Sequence, residues 1–499
     1  MKYTNEDIIL ENGIQKEWII TNGIGGFASS TIIGANTRKY HGLLIAPLTP
    51  PARRYLILSK VDESIEIGGK QYNLYTNIGK NYITKGYEYQ TSFEKEEIPT
   101  LKYKISDVEI TKQICMKYGE NTVGILYKIK NGKQPTKLTL APLMNFRDFH
   151  SMSTNHEFKI RQENKGTKLK VIIDNMIQNP IYIKVSEGIY IPHNNDIFRN
   201  MFYIEEQKRG FYPEENHAVV GRYEIEIKPN EEKEISFVCS LEENIDELDV
   251  KKLIIKEKQR ISKILEKTEI DFSEKQDKTE DEEKRQELIK NLVISADTFI
   301  AYRSSFRLHT IIAGYPWFLD WGRDSLISFE GLLLKNKRYD IAKEVLKTMM
   351  RDIKYGLVPN GYSGFDNRPL YNSVDASLLL FEQIQKYLEY TKDQEFIKEI
   401  FEKLEIIIEN YKKGIDIDNN NIYLDTDHLI VSGTENTQNT WMDAKVDGVA
   451  VTPRNGKAVE INSMWYNSLK IMENICKELR RKQKSKKICR TSKTNKKFF

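Results

Sequence analysis

Two stretches of the chain gather the side chains that sugar chemistry requires. The first, YPWFLDWGRDSLISFEGLLL at 315–334, sets Trp317 and Trp321 on either side of Asp320 and runs directly into Arg323 and Asp324 at a helix start. Sugars offer apolar ring faces edged by hydroxyls, so a site for them combines an aromatic platform with carboxylates and an arginine. Taken alone, Trp317 is a core residue and Asp324 an acid favoured by the macrodipole at a first helical turn. Their convergence is what points to a sugar site. The second stretch, 434–469, places Trp441 and Asp443 late in a long polar loop, with Thr452, Pro453, Arg454, Gly456, Lys457 and Glu460 leading into the next helix. A loop carboxylate beside a tryptophan is partly desolvated, which raises its pKa and suits it to give up a proton as a general acid. On spacing alone, a turn-capping role for Asp443 and a helix-start role for Asp375 stay open, and Glu460 reads as a first-turn acid.

Other motifs carry less. Gly23, Gly25 and Ala28 spell GxGxxA after an apparent strand, the form of a dinucleotide fingerprint. No helical pattern follows, and no acid lies between Glu17 and Asp62 to bind a ribose hydroxyl, so these glycines are expected in tight turns or at close backbone approaches. In NTRKYHGLLIA, residues 36–46, Arg38, Lys39, Tyr40 and His41 precede an apolar strand and either reach toward a domain interface or form a turn with a hydrogen-bonded histidine. The seven histidines form no HxH or HExxH pair, which argues against a metal hydrolase. The absence of GxSxG argues against a serine nucleophile. No metal or organic cofactor is indicated.

The elements that must position these groups fall into two regimes. Up to about residue 240 the hydrophobic period is two: Val123, Ile125, Tyr127 and Ile129 alternate, Asn131-Gly132 predicts a hairpin turn before Leu138 and Leu140, and Tyr223, Ile225 and Ile227 alternate with glutamates. This half predicts an antiparallel β-sandwich. A charged connector with a linking helix occupies 241–285. From about 286 the period is 3.6, with stripes at Leu288–Phe299, Leu326–Leu333, Ile341–Met349, Val374–Leu388, Phe396–Tyr411 and Ile461–Ile475, suggesting stacked helical hairpins. The stripe ends near Leu479, and 480–499 is a basic tail that looks like an aberrant, shortened end.

With 499 residues the chain suits two domains. Its net charge of +4 is misleading, because residues 477–499 hold eleven Lys or Arg and one Glu, leaving the body acidic. A nucleic-acid binder would spread that charge over a folded face. No run of about 18 apolar residues exists to span a membrane. Four cysteines without CxxC spacing fit a reducing cytoplasm.

The segments EWIITNGIGGFASSTIIGANTRKYHGLLIA, PWFLDWGRDSLISFEGLLL, YNSVDASLLLF and NTWMDAKVDGVAVTPRNGKAVEINSMWYNSL, in this order, resemble the prokaryotic-type glycogen-debranching amylo-α-1,6-glucosidases. The resemblance implies a multidomain β + α architecture: a β-sandwich at 1–240, a helical linker at 241–285, and at 286–479 part of an α/α toroid of six helical hairpins. It implies a cytoplasmic enzyme of glycogen breakdown, acting on glycogen or a branched α-glucan to release α-1,6-linked glucose, with 4-α-glucanotransferase activity in some members. On this pattern Asp443 is the general acid. Trp321, Arg323 and Asp324 hold the terminal glucose, and Trp441, Lys457 and Glu460 line the same cleft. An inverting mechanism needs a base roughly 6.5–9.5 Å from the acid. Relatives supply it from a glutamate late in the toroid, expected here beyond residue 499, with Glu460 the nearby in-chain substitute. The alternative expectation is a glucan-binding protein without turnover, or a fragment.

Overall fold

The computed structural model describes residues 1–4, 6–154, 156–173, 178–270, 279–417 and 419–481. Among these, two compact units divide the chain: the first holds 1–266 and 279–294, the second 267–270 and 295–481. The basic tail from 482, with Cys489, lies outside the described residues.

In the first unit the period-two pattern builds two antiparallel sheets. Among the described residues one has nine strands, in the order Lys2–Thr4, Gln90–Lys95, Pro99–Ile105, Val108–Met116, Thr122–Lys130, Glu232–Ser240, Ile181–Val185, Lys168–Ile173 and Ile160–Lys165. The other runs Ile189–Phe202, Glu214–Ile227, Thr136–Asp148, Ala52–Ile67, Gly42–Thr49, Phe27–Thr31 and Glu17–Thr21, with Lys70–Asn73 added on Ala52–Ile67. Inward residues of both sheets, among them Ile125 and Tyr127 from one and Leu138, Leu140, Tyr223 and Ile225 from the other, share one core. The result is a sandwich.

The Asn131-Gly132 pair is not a hairpin. Thr122–Lys130 pairs with Val108–Met116 and Glu232–Ser240, whereas Thr136–Asp148 pairs with Ala52–Ile67 and Glu214–Ile227, so the chain changes sheets between them. Asn131 is the corner post: its Nδ2 donates to the carbonyls of Gln134, Ile227 and Lys228, and its Oδ1 accepts from the Gly132 amide and the Thr136 hydroxyl. A Cβ at 132 would lie about 2 Å from the Asp107 carboxylate, so glycine serves here for room, not for a positive φ.

Helix Val250–Lys267 turns Val250, Leu253 and Ile254 onto Cys115, Leu126, Tyr182 and Val238 on the outer face of the nine-stranded sheet. Gly124 permits this approach, since a Cβ there would meet both Val250 methyls at 3.0 Å. Ile255, next to Ile254 on the same helix, is exposed.

The second unit is helical. Gly322–Phe329 continues through a π turn at Glu330–Leu334, and Tyr339–Arg351 follows it. Ala376–Thr391 and Gln394–Lys413 form a helical hairpin through Lys392, which takes a left-handed φ of 57°, and Asp393, whose carboxylate caps the second helix by accepting from the Phe396 amide. Val459–Glu478 ends the described helices. Ala376–Thr391 is buried on most sides, as the inner helix of a packed layer must be. Leu326, Phe329, Leu346, Phe381, Ile384, Phe401, Leu404, Trp465 and Leu469 build the core around it, with the Tyr411 and Trp465 rings stacked at 5.9 Å. The stripe from Leu288 to Phe299 behaves differently. Its helix spans Glu280–Thr298, Leu288 and Leu292 face solvent, and Phe299 falls one residue past the end, before the small hairpin Ile300–Arg303 and Leu308–Ile311.

Cys115, Cys239 and Cys476 are buried and form no disulfide among the described residues. No described helix is long and apolar enough to cross a membrane, and no cluster of metal-ligating side chains occurs among the described residues.

Candidate functional site

The segment before helix Gly322–Phe329 is fixed by a buried clamp. Arg303 donates through Nε and Nη2 to the two oxygens of Asp320 at 3.0 and 2.7 Å, and Thr310 donates to the same carboxylate at 3.0 Å. Asp320, which the sequence sets between two tryptophans as a site acid, is thus consumed in holding the backbone. Trp321 follows in extended conformation and bridges to Gly361. Gly322 packs so closely on the Pro359 carbonyl that a Cβ would sit 2.6 Å from it, and its amide donates to Asn360 O. The helix start carrying Arg323 and Asp324 is therefore set by backbone contacts.

Arg323, almost fully buried, gathers two carboxylates from distant parts of the chain. Its Nε donates to Asp375 Oδ2 at 2.6 Å and its Nη1 to Asp443 Oδ2 at 2.8 Å. Burial works against the guanidinium charge, but the two carboxylates outweigh it and raise the Arg323 pKa further. Its Nη2 is buried with no hydrogen-bond partner among the described residues, and so is Nδ2 of the neighbouring Asn360. Asp375 stands at the N-cap of Ala376–Thr391 without capping it. Ser373 does that work: its hydroxyl accepts from the Ala376 amide and donates to Asp375 Oδ1 at 2.6 Å, which leaves Oδ2 for Arg323. The helix-start alternative left open for Asp375 therefore gives way to an ion pair.

The long loop is tied to the same place. The Val374 amide donates to Asn439 O at 2.9 Å, and Asn439 Nδ2 donates to Asn420 O. From that anchor Trp441 projects into solvent at 55% exposure, with Asp443 two residues on. Asp324 lies solvent-facing in the first turn. Partial desolvation, with repulsion from Asp443 and Asp375, holds its carboxyl above the ordinary aspartate range despite the adjacent Arg323. Trp317 is partly exposed on the segment leading to Trp321.

Lys457 and Glu460 are engaged elsewhere. Lys457 Nζ lies 2.7 Å from Asp425 and 2.6 Å from Asp427, and Glu460 takes both arms of Arg454. These pairs brace the end of the loop, and among the described residues no hydrogen bond or ion pair joins Lys457 or Glu460 to Arg323 or Asp443. The sequence singles out Arg323, Asp324, Trp321 and Asp443, which the fold brings together. Ser373, Asn360 and the bridging role of Asp375 escape it; the Ser-x-Asp spacing at 373–375 is the signal that could have found two of them.

In the first unit the GxGxxA glycines connect strands Glu17–Thr21 and Phe27–Thr31, with Gly23 and Gly25 at φ of 72° and 93°. A strand–turn–strand path presents no helix N-terminus to a pyrophosphate. His41 is buried, its Nδ1 accepting from the Thr37 amide at 3.1 Å.

Residues 16–234 match the family model described as glycogen debranching enzyme N terminal, and residues 294–498 the model described as amylo-alpha-1,6-glucosidase. A glycogen debranching enzyme of Saccharomyces cerevisiae is 26% identical over 204 residues, covering 30% of this chain and 13% of the yeast protein, so the match spans a small part of that relative's length. The crystal structure of a bacterial glucoamylase complexed with acarbose matches with a TM-score of 0.53 at 12% identity, over 99% of this chain and 66% of the other. That likeness shows a β-plus-α fold of the glucoamylase type. With models of one family matching both halves in order, the chain belongs to the glycogen debranching enzyme family.

Proposed function

We propose that this chain is a glycosidase of glycogen breakdown in the cytoplasm, which hydrolyses the α-1,6-linked glucose at a branch point with inversion. The observation that carries this reading is the Arg323 bridge, which joins the aromatic and acidic helix start of one motif to the acid of the other. Trp321 supplies a face for the terminal glucose. Arg323, Asp324 and the partly exposed Trp317 edge it, and Trp441 continues the cleft toward the rest of the glucan.

Asp443 protonates the glycosidic oxygen as the bond to the glucose C1 breaks, and water attacks C1 from the opposite face. For this the Arg323–Asp443 ion pair must open. Arg323 stays anchored on Asp375, so Nη1 and the unpartnered Nη2 turn to sugar hydroxyls, and Asp443 meets the leaving oxygen. The base that takes the water's proton is not Asp320, Asp375 or Glu460. Asp320 and Asp375 are buried in ion pairs, and Glu460 is held by Arg454. Lys457 and Glu460 support the cleft by fixing the loop end.

The engaged state of those carboxylates favours one second reading, a protein that holds branched glucan without turnover. Glucose released from a phosphorylase-limited glycogen dextrin by the purified chain supports hydrolysis. Tight binding with no release supports the second reading, and lengthened α-1,4 chains without free glucose would mark transferase activity.

A further inference from the structure

Beside the candidate site a short hairpin, Gly361–Tyr362 paired with Pro369–Leu370, ends in a tip whose Phe365 is 87% exposed. The tip is hydrogen-bonded across itself. Ser363 N donates to Arg368 O and Asn367 N to Ser363 O, the Phe365 amide donates to Ser363 Oγ, and Arg368 N to Asp366 Oδ1. The tip is also wired to the site. Arg303, which clamps Asp320 next to Trp321, donates from Nη1 to Asn367 Oδ1 at 2.7 Å, and Gly361 at the hairpin root bridges to Trp321, its missing Cβ leaving room for the indole. Gly364 lies against Leu319, where a Cβ would be 2.9 Å from the leucine methyl.

A large aromatic side chain held in water by a pre-ordered turn loses hydrophobic stabilisation with no packing in return. Phe365 is four residues from Gly361, so its backbone stands within about 14 Å of the Trp321 contact.

We propose that Phe365 is a specificity residue, a stacking platform for glucose units of the glucan beyond the one bound at Trp321, so that the site favours extended chains over short branched oligosaccharides. This rests on the glucan reading of the Arg323–Asp443 site. A rigid aromatic with two side-chain torsions gives contact area at little entropic cost, and the Arg303 link keeps it in register with Trp321.

The test compares binding of the wild-type chain, Phe365→Ala and Phe365→Trp to two probes by calorimetry: a phosphorylase-limited glycogen dextrin, and a trisaccharide with one α-1,6-linked glucose on maltose. The expected result is a three- to tenfold loss of dextrin affinity in Phe365→Ala, by the usual magnitude of an aromatic contact, with trisaccharide affinity unchanged and dextrin affinity restored in Phe365→Trp. Equal binding of both probes by wild type and Phe365→Ala overturns the platform while leaving the site reading intact. Equal losses on both probes also overturn it, since they would mean a general role at the site. Failure of the wild-type chain to bind either probe overturns the site reading, and the platform with it.

Discussion

Arg323 reaches Asp443 across 120 residues of sequence and closes on it at 2.8 Å. The same guanidinium is fixed from behind by Asp375. The two contacts differ in kind: the Asp375 side chain is 3% exposed and that of Asp443 is 45% exposed. Water and ligand can compete for the second contact but not for the first. One arginine thus holds one buried carboxylate and one that faces water.

Removing the arginine should therefore cost stability through Asp375. Arg323→Met leaves a buried carboxylate without its partner and is expected to destabilise the helical unit by about 3–5 kcal/mol. Replacing both, Arg323→Met with Asp375→Leu, should recover most of that loss. Denaturant unfolding checks it, and a double variant as unstable as the single one would show that Asp375 is held by other means.

Asp443→Asn should separate chemistry from binding. Loss of a positioned proton donor lowers turnover by about 10²–10⁴-fold, while dextrin affinity stays largely intact. Because the Arg323–Asp443 pair is half exposed, stability should change by less than about 1 kcal/mol. A variant that hydrolyses at the wild-type rate removes Asp443 from its role.

Asp324 predicts an opposite pairing of effects. Its folded pKa lies above the ordinary value of 3.8, so the folded chain binds that proton more tightly than the unfolded one. Its contribution then falls as pH rises from the unfolded to the folded pKa and stays unfavourable above both. Asp324→Asn should leave the melting temperature at pH 7 unchanged or raised, with the difference vanishing at acid pH, and should weaken glucan binding. A lower melting temperature at pH 7 would sink the assignment.

Glu17 in the sandwich runs the other way. Burial alone would push its carboxyl up, but His41 Nε2 at 3.5 Å and Arg38 Nε at 2.7 Å overcome this and hold it down to about 2. Its contribution is full above the ordinary value of 4.5 and is lost as pH falls toward 2. Glu17→Gln should be less stable than wild type at pH 7, and the gap should close between pH 4.5 and 2. A gap independent of pH would mean the residue acts through packing.

Much of this was legible because periodicity reports burial. The alternation at Val123–Ile129 and the stripe at Phe396–Tyr411 are buried as their spacing requires. Several misreadings come from partners far away in sequence. Asn131-Gly132 has hairpin chemistry, but the strands on either side find their neighbours in different sheets. Leu288 and Leu292 have helical spacing yet face solvent. In the site, residue type pointed to Arg323 and Asp443, while the diversion of Asp320 to Arg303, Glu460 to Arg454 and Lys457 to Asp425 and Asp427 follows from pairings that spacing does not encode.

The buried thiols give the molecule its own clocks. Cys115 and Cys239 lie in the sandwich and Cys476 in the last described helix, and burial pushes the first two thiols well above their ordinary range. A thiol in that state meets an alkylating reagent only when the structure around it opens. Peptide-resolved alkylation under native conditions therefore times the opening of the sheet core and of the helical core separately, on one unmodified chain. It would reveal whether glucan slows the helical clock while the sandwich keeps its own rate.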